Sequence, residues 1–186
     1  TNELHDSDEN TGTMDVLERH QFDTSKLQEY MHENVNGFEG KIKLEEFKGG
    51  QSNPTYKVIT PNQSYVLRRK PPGKLLKSAH AVDREYKVIT ALNKTEVPVP
   101  KSYALCEDED IVGTSFYIME FKDGRVLWDP AMESSDIEEA NGVYKSMNDS
   151  MAKLHSVDPN EIGLEDFGKP GNYVGRQVSR WSKQYI

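Results

Sequence analysis

The chain has 186 residues, 35% of them hydrophobic and 29% charged, with a net charge of −8. This length suits one large domain or two small lobes with a real core, and no apolar run approaches the length of a membrane span. No basic stripe interleaved with aromatics is present, which argues against nucleic acid as a partner, and the single cysteine, Cys106, excludes an intrachain disulfide.

The acidity is uneven. Residues 1–22 carry six acidic residues against one arginine, so most of the net charge lies there and the rest of the chain is close to balance. With few apolar groups to offset ordering entropy, this stretch is expected to be an acidic, disordered leader, its residues 1 to about 20 largely disordered or held only by neighbours. The start at Thr1 matches neither a signal peptide nor an Arg-rich transit peptide, and the missing initiator Met points to processing or to a segment boundary. Nothing suggests secretion, so an intracellular setting is expected, with Cys106 a buried strand residue rather than a nucleophile.

A helix is predicted over residues 24–35, capped by Asp23 and stopped by Asn36-Gly37, with Leu27, Tyr30, Met31 and Val35 on one face. Three strand-like runs follow. Ile42, Leu44 and Phe47 lead in, Tyr56 and Val58 alternate, and Tyr65-Val66-Leu67 closes. The second break, Pro61-Asn62-Gln63, is an ordinary hairpin turn. The first is richer: Gly49-Gly50 frees the backbone for close approach of a ligand, and Ser52 and Asn53 add short polar groups beside exposed amides. Such a loop could lie over phosphates or be a plain Gly-rich hairpin, and it fits no Walker pattern. Lys70-Pro71-Pro72-Gly73 ends the third strand, and Lys74, Lys77 and His80 form a small basic cluster that reads as a solvated loop.

The second helix, residues 81–94, places Ala81, Val82, Tyr86, Val88, Ile89 and Leu92 on one arc, and Glu85 falls inside it. An acid aimed at a core must find a cation or bend to solvent. Of the two arginines ending the third strand, period-two alternation puts Arg68 and not Arg69 on the face of Val66, so Arg68 is the predicted partner. Val97-Pro98-Val99-Pro100 is an extended connector. Residues 102–106 and 115–121 read as two more strands across the acidic turn Glu107-Asp108-Glu109-Asp110, making five strands in all, and Lys122-Asp123-Gly124 is a plausible hinge. Ser135-Asp136-Ile137-Glu138 has the spacing of a capping box before a helix carrying Ile137, Ala140, Tyr144, Met147, Met151 and Leu154. A last helix from about Tyr173 aligns Val174, Val178, Trp181 and Tyr185, and its pattern is still running at Ile186, as in a chain cut short.

Two segments resemble kinase motifs without their context. His155-Ser156-Val157-Asp158 lacks the Asn due five residues after the acid, where Gly163 stands. Asp166-Phe167-Gly168 has no catalytic loop before it and no apolar strand leading in. Both read as a helix exit and a Gly-bearing turn.

Five strands, a Gly-rich loop after the first, a basic residue on the third and an inward Glu on the next helix make up a kinase small lobe. The runs Gly49-Gly50-Gln51-Ser52-Asn53-Pro54-Thr55-Tyr56, Tyr65-Val66-Leu67-Arg68-Arg69-Lys70-Pro71-Pro72-Gly73 and Ala79-His80-Ala81-Val82-Asp83-Arg84-Glu85-Tyr86 resemble the aminoglycoside phosphotransferase and choline kinase-like family. Within it, they are similar to the kinase-like domain at the N-terminus of certain acyl-CoA dehydrogenase family members, as are Phe116-Tyr117-Ile118-Met119-Glu120 and Arg176-Gln177-Val178-Ser179-Arg180-Trp181. The resemblance implies an α+β, protein-kinase-like small lobe over residues 23–121, with a five-stranded antiparallel sheet plus helix. Residues 122–186 would be the hinge and the first helices of an incomplete large lobe.

The same resemblance implies a nucleotide site built from Gly49, Gly50, Ser52 and Asn53 over the phosphates, with Arg68 in place of the strand lysine and Glu85 as its ion-pair partner. An Arg there allows a bidentate carboxylate contact. Glu120 and Phe121 would offer backbone groups to adenine. The family's catalytic His-Gly-Asp segment and metal-binding Asp find no match, so no catalytic or metal residue is assigned in this chain. ATP and Mg2+ are expected for the complete domain, and FAD only for a fused dehydrogenase outside it. Expected partners are the nucleotide, a small-molecule hydroxyl acceptor such as a hydroxylated acyl-CoA, and the rest of a longer polypeptide, in mitochondria or peroxisomes. The alternatives are a noncatalytic interaction module that keeps the fold and a truncated product with no chemistry of its own.

Overall fold

Tyr56 and Val58 are fully buried while Thr55, Lys57 and Ile59 around them are half-buried, the period-two signature of a strand with one face on a core. The structure, a computed structural model, describes residues 11–49, 53–73, 80–127, 129–132, 135–168 and 171–185. Among these, β1 (Thr13–Met14), β2 (Lys43–Phe47), β3 (Thr55–Ile59), β4 (Ser64–Arg69), β5 (Ser102–Cys106) and β6 (Phe116–Glu120) form one sheet. The strand order is β1-β2-β3-β4-β6-β5 and every pairing is antiparallel. The helices are α1 (Thr24–Asn34), α2 (Val82–Leu92), the single turn α3 (Glu109–Val112), α4 (Ile137–His155) and α5 (Tyr173–Gln184). The α+β small lobe is as expected, with six strands instead of five.

Register sorts the sheet into two faces. Tyr56 lies opposite Leu67, Leu67 opposite Ile118, and Arg69 opposite Phe116, so these side chains share one face. On it, Leu27 and Met31 of α1, both fully buried, pack with Tyr56, Val58, Tyr65, Leu67, Phe116 and Ile118. Burial of each large apolar side chain contributes about 1.5–3 kcal/mol, which holds α1 where its own propensity could not. Asp23 caps α1 by accepting from the Ser25 amide at 2.9 Å, and the Tyr30 hydroxyl donates to the Leu105 carbonyl at 3.0 Å, tying α1 to β5. Cys106 is buried in this core.

Residues 11–22 correct the expectation of a disordered leader. Thr13 and Met14 pair with Phe47 and Glu46, and a 3-10 turn follows at Glu18–His20. The reason is two buried charges that composition does not reveal. Glu46, 4% exposed, accepts from His20 Nδ1 at 2.7 Å and from the Leu17 amide at 3.1 Å. Arg69, 3% exposed, donates to the His20 carbonyl at 3.1 Å and the Val112 carbonyl at 2.6 Å, with its guanidinium over the Phe22 and Tyr56 rings. The segment supplies the partners those charges need to be buried. Residues 1–10 lie outside the described residues.

Smaller differences have local causes. The acidic turn contains α3, capped by Asp108 and closed by Gly113 at φ 87°, a left-handed conformation suited to glycine. α2 ends at Leu92 because Asn93 turns its amide to the connector, donating to the Pro100 carbonyl and accepting from the Ser102 amide, each at 2.8 Å. The cap of α4 is Asp136, one residue beyond the predicted Ser135, and it accepts from the Glu139 amide at 2.8 Å. α4 and α5 carry the predicted apolar stripes, but Met147, Met151, Val174, Val178 and Trp181 are all exposed. Among the described residues, no helix is long and apolar enough to cross a membrane.

Candidate functional site

The second face of the sheet is set by the alternate register. Thr55 lies opposite Arg68, Arg68 opposite Tyr117, Lys57 opposite Val66, and Val66 opposite Met119. None of these belongs to the α1 core. Period-two alternation thus carries Arg68 away from its neighbour Arg69, as predicted, and toward α2. Arg68 Nε lies 2.8 Å from Glu85 Oε2. Both side chains remain about one-third exposed, at 30% and 36%, so the pair borders solvent instead of being sealed in a core.

The contact is not the bidentate fork that an arginine permits. Arg68 Nη1 turns to Thr55 Oγ1 at 3.2 Å, and the second carboxylate oxygen, Glu85 Oε1, accepts from Asn53 Nδ2 at 3.3 Å. Thr55 Oγ1 in turn donates to the Asn53 carbonyl at 3.0 Å. Asn53, Glu85, Arg68 and Thr55 therefore close a ring of hydrogen bonds that joins the end of the Gly-rich loop, two strands and a helix. Two further groups attach to it. The Tyr117 hydroxyl donates to Glu85 Oε2 at 3.1 Å, and His80 Nδ1 lies 2.7 Å from Asn53 Oδ1. Burial first, and then the Glu85 carboxylate, push the Tyr117 hydroxyl well above its ordinary range, so it stays a proton donor.

Of the predicted nucleotide-binding residues, Asn53, Arg68 and Glu85 come together. Gly50 and Ser52 lie outside the described residues, as do Lys74 and Lys77. Gly49 has φ 86°, the left-handed turn for which glycine is suited. Glu120 and Phe121 sit at the end of β6, apart from the ring. The Glu120 amide donates to the Lys101 carbonyl at 2.8 Å, so that N–H is not available to a ligand. Lys122 first, and then the Lys101 amide, hold the Glu120 carboxyl below the usual carboxylate range. The Phe121 ring stacks with Phe47 at 6.3 Å, and Lys57 Nζ lies 4.1 Å above it.

Thr55, His80 and Tyr117 were not legible as site residues. Tyr117 and Thr55 could have been found from the strand period, given the register. His80, predicted to lie in a solvated loop, is instead held at Asn53. A cleft of about 510 Å³ opens beside Glu85, lined by Ala81, Arg84, Val88, Ile89, Tyr117 and Phe167. Its far wall is the Asp166-Phe167-Gly168 turn. Arg84 donates to the Phe167 carbonyl at 2.8 Å and lies 4.1 Å over its ring, so this turn serves as a docking contact for α2. Among the described residues, no group of three or more His, Cys, Asp or Glu side chains could hold a metal ion.

Chemically, the arrangement offers a fixed cation beside a loop terminus on an open sheet face. Arg68 uses Nε and Nη1 within the ring, which leaves Nη2 outside both contacts.

Comparison with known proteins agrees with this architecture. Residues 43–186 match APH, the phosphotransferase enzyme family. A solved structure from Ralstonia eutropha, assigned to the aminoglycoside phosphotransferases, is 51% identical with a TM-score of 0.76, over 89% of this chain and 47% of its own. Acyl-CoA dehydrogenase IBR3, as it is named, from Arabidopsis thaliana is 47% identical over 92% of this chain and 22% of its own length. Human acyl-CoA dehydrogenase family member 11 is 39% identical over the same shares. The chain thus spans about a fifth of the length of these curated relatives. With the fold, the loop, the Arg68–Glu85 pair and the match over residues 43–186 in agreement, the chain belongs to the phosphotransferase enzyme family.

Proposed function

We propose that this chain is the nucleotide-binding part of an aminoglycoside-phosphotransferase-like kinase domain, carried in a longer, acyl-CoA dehydrogenase-linked protein. The observation that supports it most is the closed ring joining Arg68, Glu85, Thr55 and Asn53. It fixes a guanidinium beside Asn53, with one terminal nitrogen that makes no bond among the described residues and suits an anionic oxygen. The residues present fit a nucleoside triphosphate's phosphates in charge and donor type. They do not fit a resident Mg2+, since no suitable group of carboxylates gathers among the described residues. ATP supplies the phosphoryl group when bound, and the contribution of these residues is to hold and orient it.

The acceptor we infer is a hydroxylated acyl-CoA or another small hydroxyl compound, in keeping with the relatives named as acyl-CoA dehydrogenases. FAD would belong to their dehydrogenase part, and the setting we propose is mitochondrial or peroxisomal. A second reading, an interaction module that keeps the fold without nucleotide, is favoured by the exposed apolar stripe Val174, Val178 and Trp181 on α5. Thermal unfolding decides between them. Ligand at one hundred times its dissociation constant adds about 2.7 kcal/mol of stability, so millimolar ATP should give a small, saturable rise in Tm. No rise favours the interaction module.

A further inference from the structure

His80 lies outside the ring yet touches its most buried member. Asn53 is 3% exposed, and among the described residues its side chain reaches two groups: Glu85 Oε1 through Nδ2, and His80 Nδ1 through Oδ1. A carboxylate can only accept, so the amide must present its nitrogen to Glu85 and its oxygen to His80. That oxygen can only accept as well, which requires a proton on His80 Nδ1. The chain of donors and acceptors therefore has a single direction, from His80 through Asn53 to Glu85, and no alternative amide orientation satisfies both ends.

The backbone at His80 argues the same way. Its φ is 57°, the left-handed region that a non-glycine residue rarely adopts, and it stands just before Ala81, the N-cap of α2. A non-glycine residue in that conformation marks a position that the surrounding contacts help to fix. The contact on offer is the one to Asn53, which joins the start of α2 to the end of the Gly-rich loop. Thr55 and Tyr117 steady Arg68 and Glu85 from the sheet side. His80 is the tie on the loop side.

We propose that His80 is a positioning residue for phosphate binding. Its Nδ1–H fixes the Asn53 amide, and Asn53 then holds Glu85, and with it Arg68, in the arrangement that receives the nucleotide's phosphates. The proposal rests on the nucleotide reading above, and its test separates the two. The first measurement is a long-range proton–nitrogen-15 spectrum of the whole chain at about pH 8, above the ordinary imidazole range, with the His80 signals assigned by their loss in His80→Asn. The ring is expected in the Nδ1–H form, and an Nε2–H ring overturns the proposal.

The second measurement compares ATP affinity in His80→Asn and His80→Gly. Both residues tolerate the left-handed backbone, but only Asn keeps a donor near the Nδ1 position. His80→Asn should bind ATP as the wild type does, and His80→Gly about fivefold more weakly, the scale of one lost hydrogen bond. Adenosine, which lacks phosphates, should bind both variants alike, and a fall in adenosine affinity as well would make His80 merely structural. Equal ATP affinity in the two variants overturns the positioning role. Failure of the wild type to bind ATP overturns the nucleotide reading and the functional half of the proposal, while the ring tautomer still decides the structural half.

Discussion

Arg68 meets Glu85 through Nε and spends a terminal nitrogen on Thr55, so the guanidinium bridges a helix and a strand instead of gripping one carboxylate. A lysine carries its three donors on a single nitrogen at the end of a flexible stem, so it cannot reproduce the two separate nitrogens, Nε and Nη1, that reach Glu85 and Thr55. Arg68→Lys should therefore keep the pair with Glu85 and lose the Thr55 bond, with nucleotide affinity intermediate between the wild type and Arg68→Ala. Because the pair is partly solvated, its own contribution to folding is small, about 1 kcal/mol or less. Arg68→Ala should leave the fold intact by circular dichroism and abolish the ATP-dependent rise in Tm. A rise that survives in Arg68→Ala places the phosphates elsewhere.

Glu46 should matter more for stability than Glu85, although it belongs to no site. It is buried, with His20 on one oxygen and the Leu17 amide on the other. Glu46→Ala leaves both donors without an acceptor, at a cost of about 1–3 kcal/mol. Urea unfolding should show that loss. Native-state hydrogen exchange should show a slow Leu17 amide in the wild type that becomes fast in Glu46→Ala, while the Tyr56 amide in β3 stays protected. A fast Leu17 amide in the wild type would restore the view that this segment is an unstructured leader.

What could be read from the residues follows from how local the cause is. The five longer strands, α1 with its Asp23 cap, and the separation of Arg68 from Arg69 all depend on periods of two or 3.6 residues and were legible. The sixth strand was not. Thr13 and Met14 have no pattern of their own, and they pair with β2 because Glu46 and Arg69 bind the segment around His20 from 26 and 49 residues away. The site divides in the same way. Glu85 stood out as an acid within an apolar arc. Thr55, Tyr117 and His80 join it only through strand register and a loop–helix contact, neither of which one sequence displays. Ser135 and Asp136 both flank the same helix start, and which of them caps it depends on a backbone angle.

Alkaline pH should destabilise the chain through its buried tyrosines. Tyr56 is fully buried, and burial, reinforced by Glu46 and opposed by Arg69, raises its pKa from 10.0 to about 12. A raised folded-state value means that its stabilisation is complete below pH 10, where the unfolded tyrosine titrates, and is lost as pH climbs toward 12. The loss from Tyr56 alone is on the order of 2–3 kcal/mol. Tyr30 and Tyr117 are pushed up further by burial and act in the same direction. Unfolding free energies across this range should fall steeply in the wild type. They should fall less in Tyr56→Phe, which starts lower because it lacks the bond to the His20 carbonyl. Parallel curves for the two proteins would remove Tyr56 as the source.

The 186 residues by themselves are expected to transfer no phosphate. Phosphoryl transfer asks for in-line positioning, metal ions across the phosphates, and a carboxylate that orients the acceptor hydroxyl. On the proposed reading, Arg68 and Asn53 answer the first need. For the others the motif-like candidates are Asp158 and Asp166, both of them exposed. Asp158 is exposed at the exit of α4, and its Oδ1 accepts from the Asn160 amide and from Asn160 Nδ2, each at 2.8 Å, which closes a local turn. Asp166 is exposed in the turn that Arg84 docks to α2 through Phe167. The measurement sets this chain beside an extended polypeptide matching the solved relative's length, with ATP, Mg2+ and a panel of hydroxylated acyl-CoA acceptors. Turnover is expected only from the extended form. Turnover by the 186 residues that disappears in Asp158→Asn or Asp166→Asn would return those acids to the reaction.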